Sequence, residues 1–243
     1  MELLNKYTQD YSVLPSACDF GGNLGIYETF RLFMDLANSH AEILGIDQKK
    51  LMDRGLFWLT VKTRIRFFRR AQMQKRLKAE TWPLAPLSLR TDRCYRLSDE
   101  NGPVAEGRTE GAVLDMKAGR LAQVKTVFPE NLVFNEDRVS FEDFPRIGAA
   151  DDSFTDRGTF KVTSSDIDMG NHMNNAAYVR ALLGFFGSAE LTEMDIREMT
   201  VIFKTSAHEG DVLSMKEKKT DAGYDCGLFF GDGKPAVLAQ IVC

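Results

Sequence analysis

Between Ile26 and Leu44 the apolar residues Ile26, Phe30, Phe33, Met34, Ala37, Ala41 and Leu44 recur at spacings of three and four. That period places them on one face of a helix, and Gly45 ends it. A strand over residues 7–14 and a glycine-rich turn, Phe20-Gly21-Gly22-Asn23-Leu24-Gly25, precede the helix, and a short helix over 47–54 follows. From Leu56 onward the pattern shortens to strand-like runs over 56–70, 74–82, 89–97 and 104–115, with Asp99-Glu100-Asn101-Gly102 as a hairpin turn between the last two. Residues 126–156 lose all periodicity and collect Pro129, Pro145, Gly148 and a cluster of acids, which predicts a linker. The first pattern then returns: a strand over 159–164, the turn Asp168-Met169-Gly170-Asn171, a helix over 173–189, and strands near 197–204, 212–220, 224–230 and 236–242.

The chain is therefore one motif used twice. At an offset of 149 positions, Asp19, Gly21, Asn23, Leu24 and Arg31 fall on Asp168, Gly170, His172, Met173 and Arg180. The difference that matters for chemistry is Asn23 against His172, because only the second copy carries a titratable group there. An apolar helix followed by several strands predicts an α+β unit in which an antiparallel sheet wraps around the helix. In the second helix Met173, Ala176, Ala177, Val179, Leu182, Leu183, Phe185 and Phe186 cover most of the circumference, so it must be buried nearly all round. Two such units side by side can join their sheets and hide two edges.

Composition narrows the class. At 243 residues, 44% hydrophobic and 27% charged with a net charge of −4, the chain is long enough for one large or two small domains, of which the repeat selects two, and is too apolar to be disordered. No apolar run approaches the roughly 20 residues of a membrane span, and residues 1–10 contain no apolar signal core, so the expected compartment is the cytoplasm. Cys18, Cys94, Cys226 and Cys243 lie far apart with no Cys-x-x-Cys pair. They read as four reduced thiols, not as a zinc site or disulfide framework.

The densest polar cluster is Asp166-Ile167-Asp168-Met169-Gly170-Asn171-His172-Met173-Asn174-Asn175, immediately before the second apolar helix. Asp168, Asn171 and Asn174 suit turn and cap hydrogen bonds. Two carboxylates, three asparagines and a histidine in ten residues exceed what a cap requires. Free N–H groups at the positive helix end lie beside them, a setting in which a carbonyl can be polarised and a water activated.

The stretch Asp168-Met169-Gly170-Asn171-His172-Met173-Asn174-Asn175 with Tyr178 resembles the Asp-x-Asn-x-His-x-Asn-Asn…Tyr segment of the acyl-acyl carrier protein thioesterases, double hotdog enzymes of fatty acid synthesis. Trp58-Leu59-Thr60-Val61-Lys62-Thr63-Arg64-Ile65 looks like that family's first-domain strand, Glu80-Thr81-Trp82-Pro83 matches its Glu-Thr-Trp-Pro signature, and Val113-Leu114-Asp115…Gly119-Arg120 resembles the end of its first hotdog. The resemblance covers about residues 5–240. It implies two tandem hotdog domains whose sheets join as a pseudo-dimer: 1–125 binding the acyl chain, 126–156 as linker, and 157–243 catalytic. It also implies hydrolysis by water of a fatty acyl thioester on acyl carrier protein, with no metal and no other cofactor.

On that reading His172 is the base for the attacking water, since an imidazole titrates nearest neutrality. Three roles are open to Asp168: orienting the imidazole, stabilising its charged form, or acting as the base itself. N–H groups around Asn174 and Asn175 would hold the oxyanion and bind substrate. Two positions depart from the family's pattern. Gly170 stands where an Asn is usual, leaving Asn171, one place later, as its substitute. Aligning Phe203 to Asp211 through the closing Gly-Asp puts Ser206 at the family's Glu and Ala207 at its Cys, so a thiol nucleophile is excluded there and Ser206 supplies only a hydroxyl. His208 shares the parity of Ser206 but reads as a surface loop residue beside the turn Glu209-Gly210-Asp211.

The net acidity hides a basic stretch. Residues 54–79 contain no Asp or Glu and hold Arg54, Lys62, Arg64, Arg66, Arg69, Arg70, Lys75, Arg76 and Lys78. Arg64 and Arg66 should share one strand face and Ile65 and Phe67 the other. Arg64, Arg66 and Arg69 are the expected substrate-side contacts for an acidic carrier protein. Nucleic acid is excluded as a partner by the acidic balance and the missing motifs, and membrane by the lack of an apolar span. Phe33, Met34, Phe57 and Trp58 are candidate lining residues for the acyl chain. The expected assembly is a monomeric pseudo-dimer or a homodimer. Two other readings stand beside this one: an acyl-CoA thioesterase, and a non-catalytic hotdog that binds acyl thioesters.

Overall fold

The chain builds its first helix where the apolar face ran longest. In a computed structural model, which describes residues 5–139, 143–148 and 150–243, the first half is β1 (Tyr7–Ser12), α1 (Ile26–Ile43), α2 (Gln48–Asp53), β2 (Leu56–Phe67), β3 (Arg76–Pro83), β4 (Thr91–Asp99), β5 (Gly102–Asp115) and the two-residue β6 (Arg120–Leu121). The second half is β7 (Thr155–Lys161), α3 (Asn175–Leu183), α4 (Ser188–Glu193), β8 (Glu198–Phe203), β9 (Val212–Thr220), β10 (Gly223–Phe229) and β11 (Pro235–Val242).

All strands belong to one antiparallel sheet in the order β1-β3-β4-β5-β2-β8-β11-β10-β9-β7, with β6 beside β5. The order reads the same from both ends once each first-half strand is matched to its second-half counterpart. The halves meet where β2 pairs with β8, and there Arg64 lies opposite Thr200. These two are equivalent positions of the two copies, so the pseudo-twofold axis passes between them. The repeat offset is 149 through turn and helix start and 136 through this strand, because the second helical segment is shorter.

Ile65 and Phe67 are buried toward the helices, while Arg64 and Arg66 face the other way, as the alternation required. Side chains of α1 (Phe30, Phe33, Leu36) and α3 (Val179, Leu182, Leu183) share one apolar cluster with inward residues of both halves of the sheet. Around α3 only Arg180 is exposed. A second cluster lies at the far end of α1, where Ala41, Leu44 and Leu51 meet Val113, Val124, Val127, Phe128 and Leu132.

One expectation changes. The helix expected over 173–189 begins at Asn175 and stops at Leu183, half the length of α1, and a separate short helix starts at Ser188. Gly184 and Gly187 cap the two pieces, because glycine costs little at a helix end and weakens a helix interior. Phe186, between them, packs against Tyr224 at 5.4 Å instead of continuing the helix.

The aperiodic connecting stretch, of which residues 140–142 and 149 lie outside the described residues, is not a free tether. Asp137 accepts a 2.7 Å hydrogen bond from the Trp82 indole through its carbonyl, and its carboxylate takes Arg96 at 3.1 Å. The Asp143 carbonyl takes Arg64 at 2.8 Å, and the Phe144 ring lies under Arg108 at 4.5 Å. The segment thus crosses the outer face of the first half of the sheet, where its Val139 packs with the buried Trp82, Leu84 and Cys94. Among the described residues no helix is long and apolar enough to cross a membrane.

Candidate active site

The two copies close their helix-entry turns with the same main-chain bonds. The Asp19 N–H donates to the Asn23 carbonyl at 2.8 Å and the Asp168 N–H to the His172 carbonyl at 2.9 Å. Leu24 donates to Ala71 at 2.7 Å and Met173 to Ala207 at 2.8 Å; Gly25 donates to Ala17 at 2.8 Å and Asn174 to Asp166 at 2.7 Å. The left-handed residue of each turn is Gly22 (φ 74°) in the first copy and Asn171 (φ 59°) in the second. Asn171 thus stands where the turn favours glycine, and Asn is among the few other residues that tolerate it.

On this shared scaffold the side chains diverge. In the first copy the Arg70 guanidinium donates to Asp19 Oδ2 at 2.8 Å and to the Leu24 carbonyl at 2.6 Å, filling the turn. Its counterpart in the second copy is Ser206, whose hydroxyl has no hydrogen-bond partner among the described residues. Asn23 and Gln72 pair through their backbones in the first copy; the corresponding residues of the second are His172 and His208. Their imidazole centroids lie 5.0 Å apart with the rings tilted by 60°. Phe57, from the start of β2 in the other half, stands edge-on to His172 at 6.5 Å. A Cβ on Gly170 would come 2.7 Å from the Phe57 ring, so glycine at this position makes room for that ring.

Asp168 is exposed, and its Oδ1 accepts the Gly170 N–H at 2.8 Å. Among the described residues no hydrogen bond joins its carboxylate to the His172 ring. Asn174 is the N-cap of α3: its side chain accepts from the Ala176 N–H at 2.8 Å and its carbonyl from Ala177 and Tyr178. Asn175 is the first helical residue, and its N–H meets no acceptor among the described residues. It is therefore a helix-start donor left open beside the turn. Asp166 is buried, caps the preceding turn through Thr163, and pairs with Arg180. The Tyr178 hydroxyl accepts the Ala207 N–H at 2.8 Å, tying α3 to the segment that carries Ser206 and His208. Burial raises the Tyr178 pKa to about 12; the Ala207 N–H opposes this, and the Asp211 and Asp168 charges add to it.

Sequence reasoning missed His208 as a neighbour of His172. The residue does sit in an exposed turn, with its N–H on Asp211 Oδ2 at 2.8 Å. What brings its ring to His172 is the Met173–Ala207 main-chain bond, for which the only sequence signal was its shared parity with Ser206. Of the candidate lining residues, Phe57 reaches the site. Phe33 is core, stacked on Tyr95 at 4.6 Å, and Trp58 donates to the Ile46 carbonyl at 2.8 Å in the second cluster.

The three arginines chosen as carrier contacts are engaged inside the molecule. Arg64 and Arg66 both hold Glu198, at 2.7 and 3.1 Å, across the junction of the two halves. Arg69 holds Asp99 and the Gly102 carbonyl, pinning the β4–β5 hairpin. Hydrogen bonding and charge from Asp99 push the Arg69 pKa upward. Among the described residues no three His, Cys, Asp or Glu side chains converge as metal ligands.

The residue pattern and the architecture both have close counterparts. The models of the acyl-ACP thioesterase N-terminal domain and C-terminal domain match residues 4–130 and 149–240. Among solved structures, an acyl-ACP thioesterase from Bacteroides thetaiotaomicron superposes with a TM-score of 0.87 at 18% identity, over 98% of this chain and 97% of that one. The 12:0-ACP thioesterase from Umbellularia californica does so with a TM-score of 0.80 at 14% identity, over 98% and 96%. At these identities the superpositions speak for the double hotdog fold. No curated protein sequence matches the chain. With both of its domain models matched in order along one chain, the protein belongs to the acyl-ACP thioesterase family of thiolester hydrolases.

Proposed function

We propose that the protein hydrolyses fatty acyl thioesters of acyl carrier protein to free fatty acid and carrier thiol, and that it does so at the second copy of its repeat. The observation that carries this reading is the contrast between Arg70 and Ser206. One scaffold is built twice: in one half a guanidinium bonds across the turn, and in the other Ser206 makes no such bonds and two imidazoles meet at the turn.

His172 takes a proton from water as the water oxygen bonds to the thioester carbon. The open N–H at the start of α3 stabilises the oxyanion, an effect worth about 3 kcal/mol for one well-placed donor. The tetrahedral intermediate then collapses with loss of the pantetheine thiol. Asp168 holds the turn through Gly170 and places a negative charge near the imidazolium that forms. Phe57 from the first half covers the site, which makes the catalytic unit, 157–243, dependent on the unit at 1–125, with 126–156 connecting them. One chain supplies both halves of the pseudo-dimer.

The acidic carrier is met by cations of the stretch 54–79 that remain exposed. Arg54 leads among them, lying three residues before Phe57. Family membership favours carrier thioesters over CoA thioesters. Comparing kcat/KM for the same acyl group on the two thiols tests this: a preference for carrier protein is expected, and a preference for CoA would overturn it.

A further inference from the structure

We propose that His208 is a second catalytic residue, the acid that protonates the departing sulfur, so that the site works through a pair of imidazoles. The inference rests on the thioesterase reading and adds to it a group that neither the family pattern nor the sequence assigned. Three observations carry it. The His172 and His208 ring centroids are 5.0 Å apart, so the two imidazoles are in contact and can face one thioester group from the same side. They stand at the positions that Asn23 and Gln72 hold in the first copy, and the Met173–Ala207 main-chain bond brings their two segments together. Ser206, which the resemblance puts at the family's glutamate position, offers only a hydroxyl, and the nearest group on that segment able to transfer a proton is His208, two residues on.

The surroundings divide the labour. His208 Nδ1 faces Asp211 Oδ2 at 4.0 Å, and the Asp211 carboxylate also accepts the His208 N–H. That arrangement leaves Nε2 to work on substrate, with a carboxylate behind the ring. Glu209 and Asp211 lie in the same loop and Asp168 on the turn that leads to His172, with the Tyr178 phenol of α3 within electrostatic reach of Asp211 and Asp168; β2 contributes the uncharged Phe57 ring.

The proton inventory closes. Water adds its oxygen to the carbonyl carbon and gives one proton to His172. The C–S bond breaks as sulfur takes a proton from the His208 imidazolium. The His172 imidazolium then returns its proton to His208, restoring both rings. A thiol is a good leaving group near neutral pH, so acid assistance belongs at the lower end of the usual range, about 10²-fold.

The test is steady-state hydrolysis of an acyl-carrier thioester from pH 5 to 9 by wild type, His172→Ala, His208→Gln and His208→Ala. The expected result is a fall in kcat of about 10²-fold in both His208 variants with KM little changed. The alkaline limb of the wild-type profile should also disappear. His208 variants within twofold of wild type at every pH, alongside an inactive His172→Ala, would overturn the role of His208 and leave the thioesterase reading intact. A wild type with no turnover would overturn that reading and this inference together.

Discussion

Arg70 and Ser206 hold the same place in the two halves of the molecule, each directly ahead of the alanine, Ala71 or Ala207, whose carbonyl receives the last residue of the helix-entry turn. Arg70 reaches back to Asp19 and the Leu24 carbonyl. Ser206→Arg should therefore reach Asp168 and the Met173 carbonyl and close the second site as the first is closed. Hydrolysis should fall by about 10²-fold or more, the share that a general base supplies, with an unchanged or higher Tm. Kinetics and thermal unfolding of this one variant check both halves of the expectation.

Gly170 is set by Phe57. Placing the family's Asn at this position drives a side chain into a ring 2.7 Å from the new Cβ. Gly170→Asn should destabilise the protein by about 1–3 kcal/mol, the usual cost of overpacking. Phe57→Ala in the same molecule should recover much of that loss. A double-mutant cycle by denaturant unfolding measures the coupling, which should be well above the few tenths of a kcal/mol expected of independent sites.

The basic stretch holds structural charges and, on the proposed reading, docking charges as well. Arg64→Glu sets two carboxylates against each other at the half-to-half junction, where Glu198 is 8% exposed. The expected result is a stability loss of about 3–5 kcal/mol, as for other broken buried pairs. Arg54→Glu, at an exposed position, should leave Tm unchanged. It should raise KM for the carrier thioester and not for the CoA thioester, and the effect should shrink as salt is added.

Tyr178 carries an alkaline signature. Its pKa is raised from 10 in the unfolded chain to about 12 in the fold, chiefly by burial. The fold favours the neutral phenol, so this contribution is fully present below pH 10 and lost as pH rises from 10 toward 12. It amounts to about 2–3 kcal/mol. Unfolding free energies from pH 9 to 12 should fall less steeply for Tyr178→Phe than for wild type. At neutral pH the variant should be weaker by about 1–3 kcal/mol, because the buried Ala207 N–H loses its acceptor.

Much of the architecture was legible because its signals are local. The spacing of Ile26, Phe30 and Phe33 specified α1, the alternation about Ile65 and Phe67 specified β2, and the 149-residue offset held down to individual main-chain bonds. Helix α3 was overextended because Phe185 and Phe186 continue the apolar stripe, and a pattern of side chains does not register that Gly184 and Gly187 break the backbone.

The candidate site was read at His172 and its turn, where the informative residues are consecutive. Contacts across long sequence separations were not. His208 meets His172 only after Ala207 pairs with Met173, and Arg64 meets Glu198 134 residues away. Asn171 looked chemical in a motif, whereas its left-handed backbone is a requirement of the turn.

The central claim is that the second copy of the repeat turns over an acyl thioester with His172 as base. Single-turnover hydrolysis of acyl-carrier thioesters, read as released fatty acid, tests it most directly when wild type and His172→Ala are run side by side. The account predicts fatty acid release by wild type and a rate about 10²–10⁴-fold lower in the variant. Tight binding of the thioester without release, or equal rates in both proteins, would contradict it.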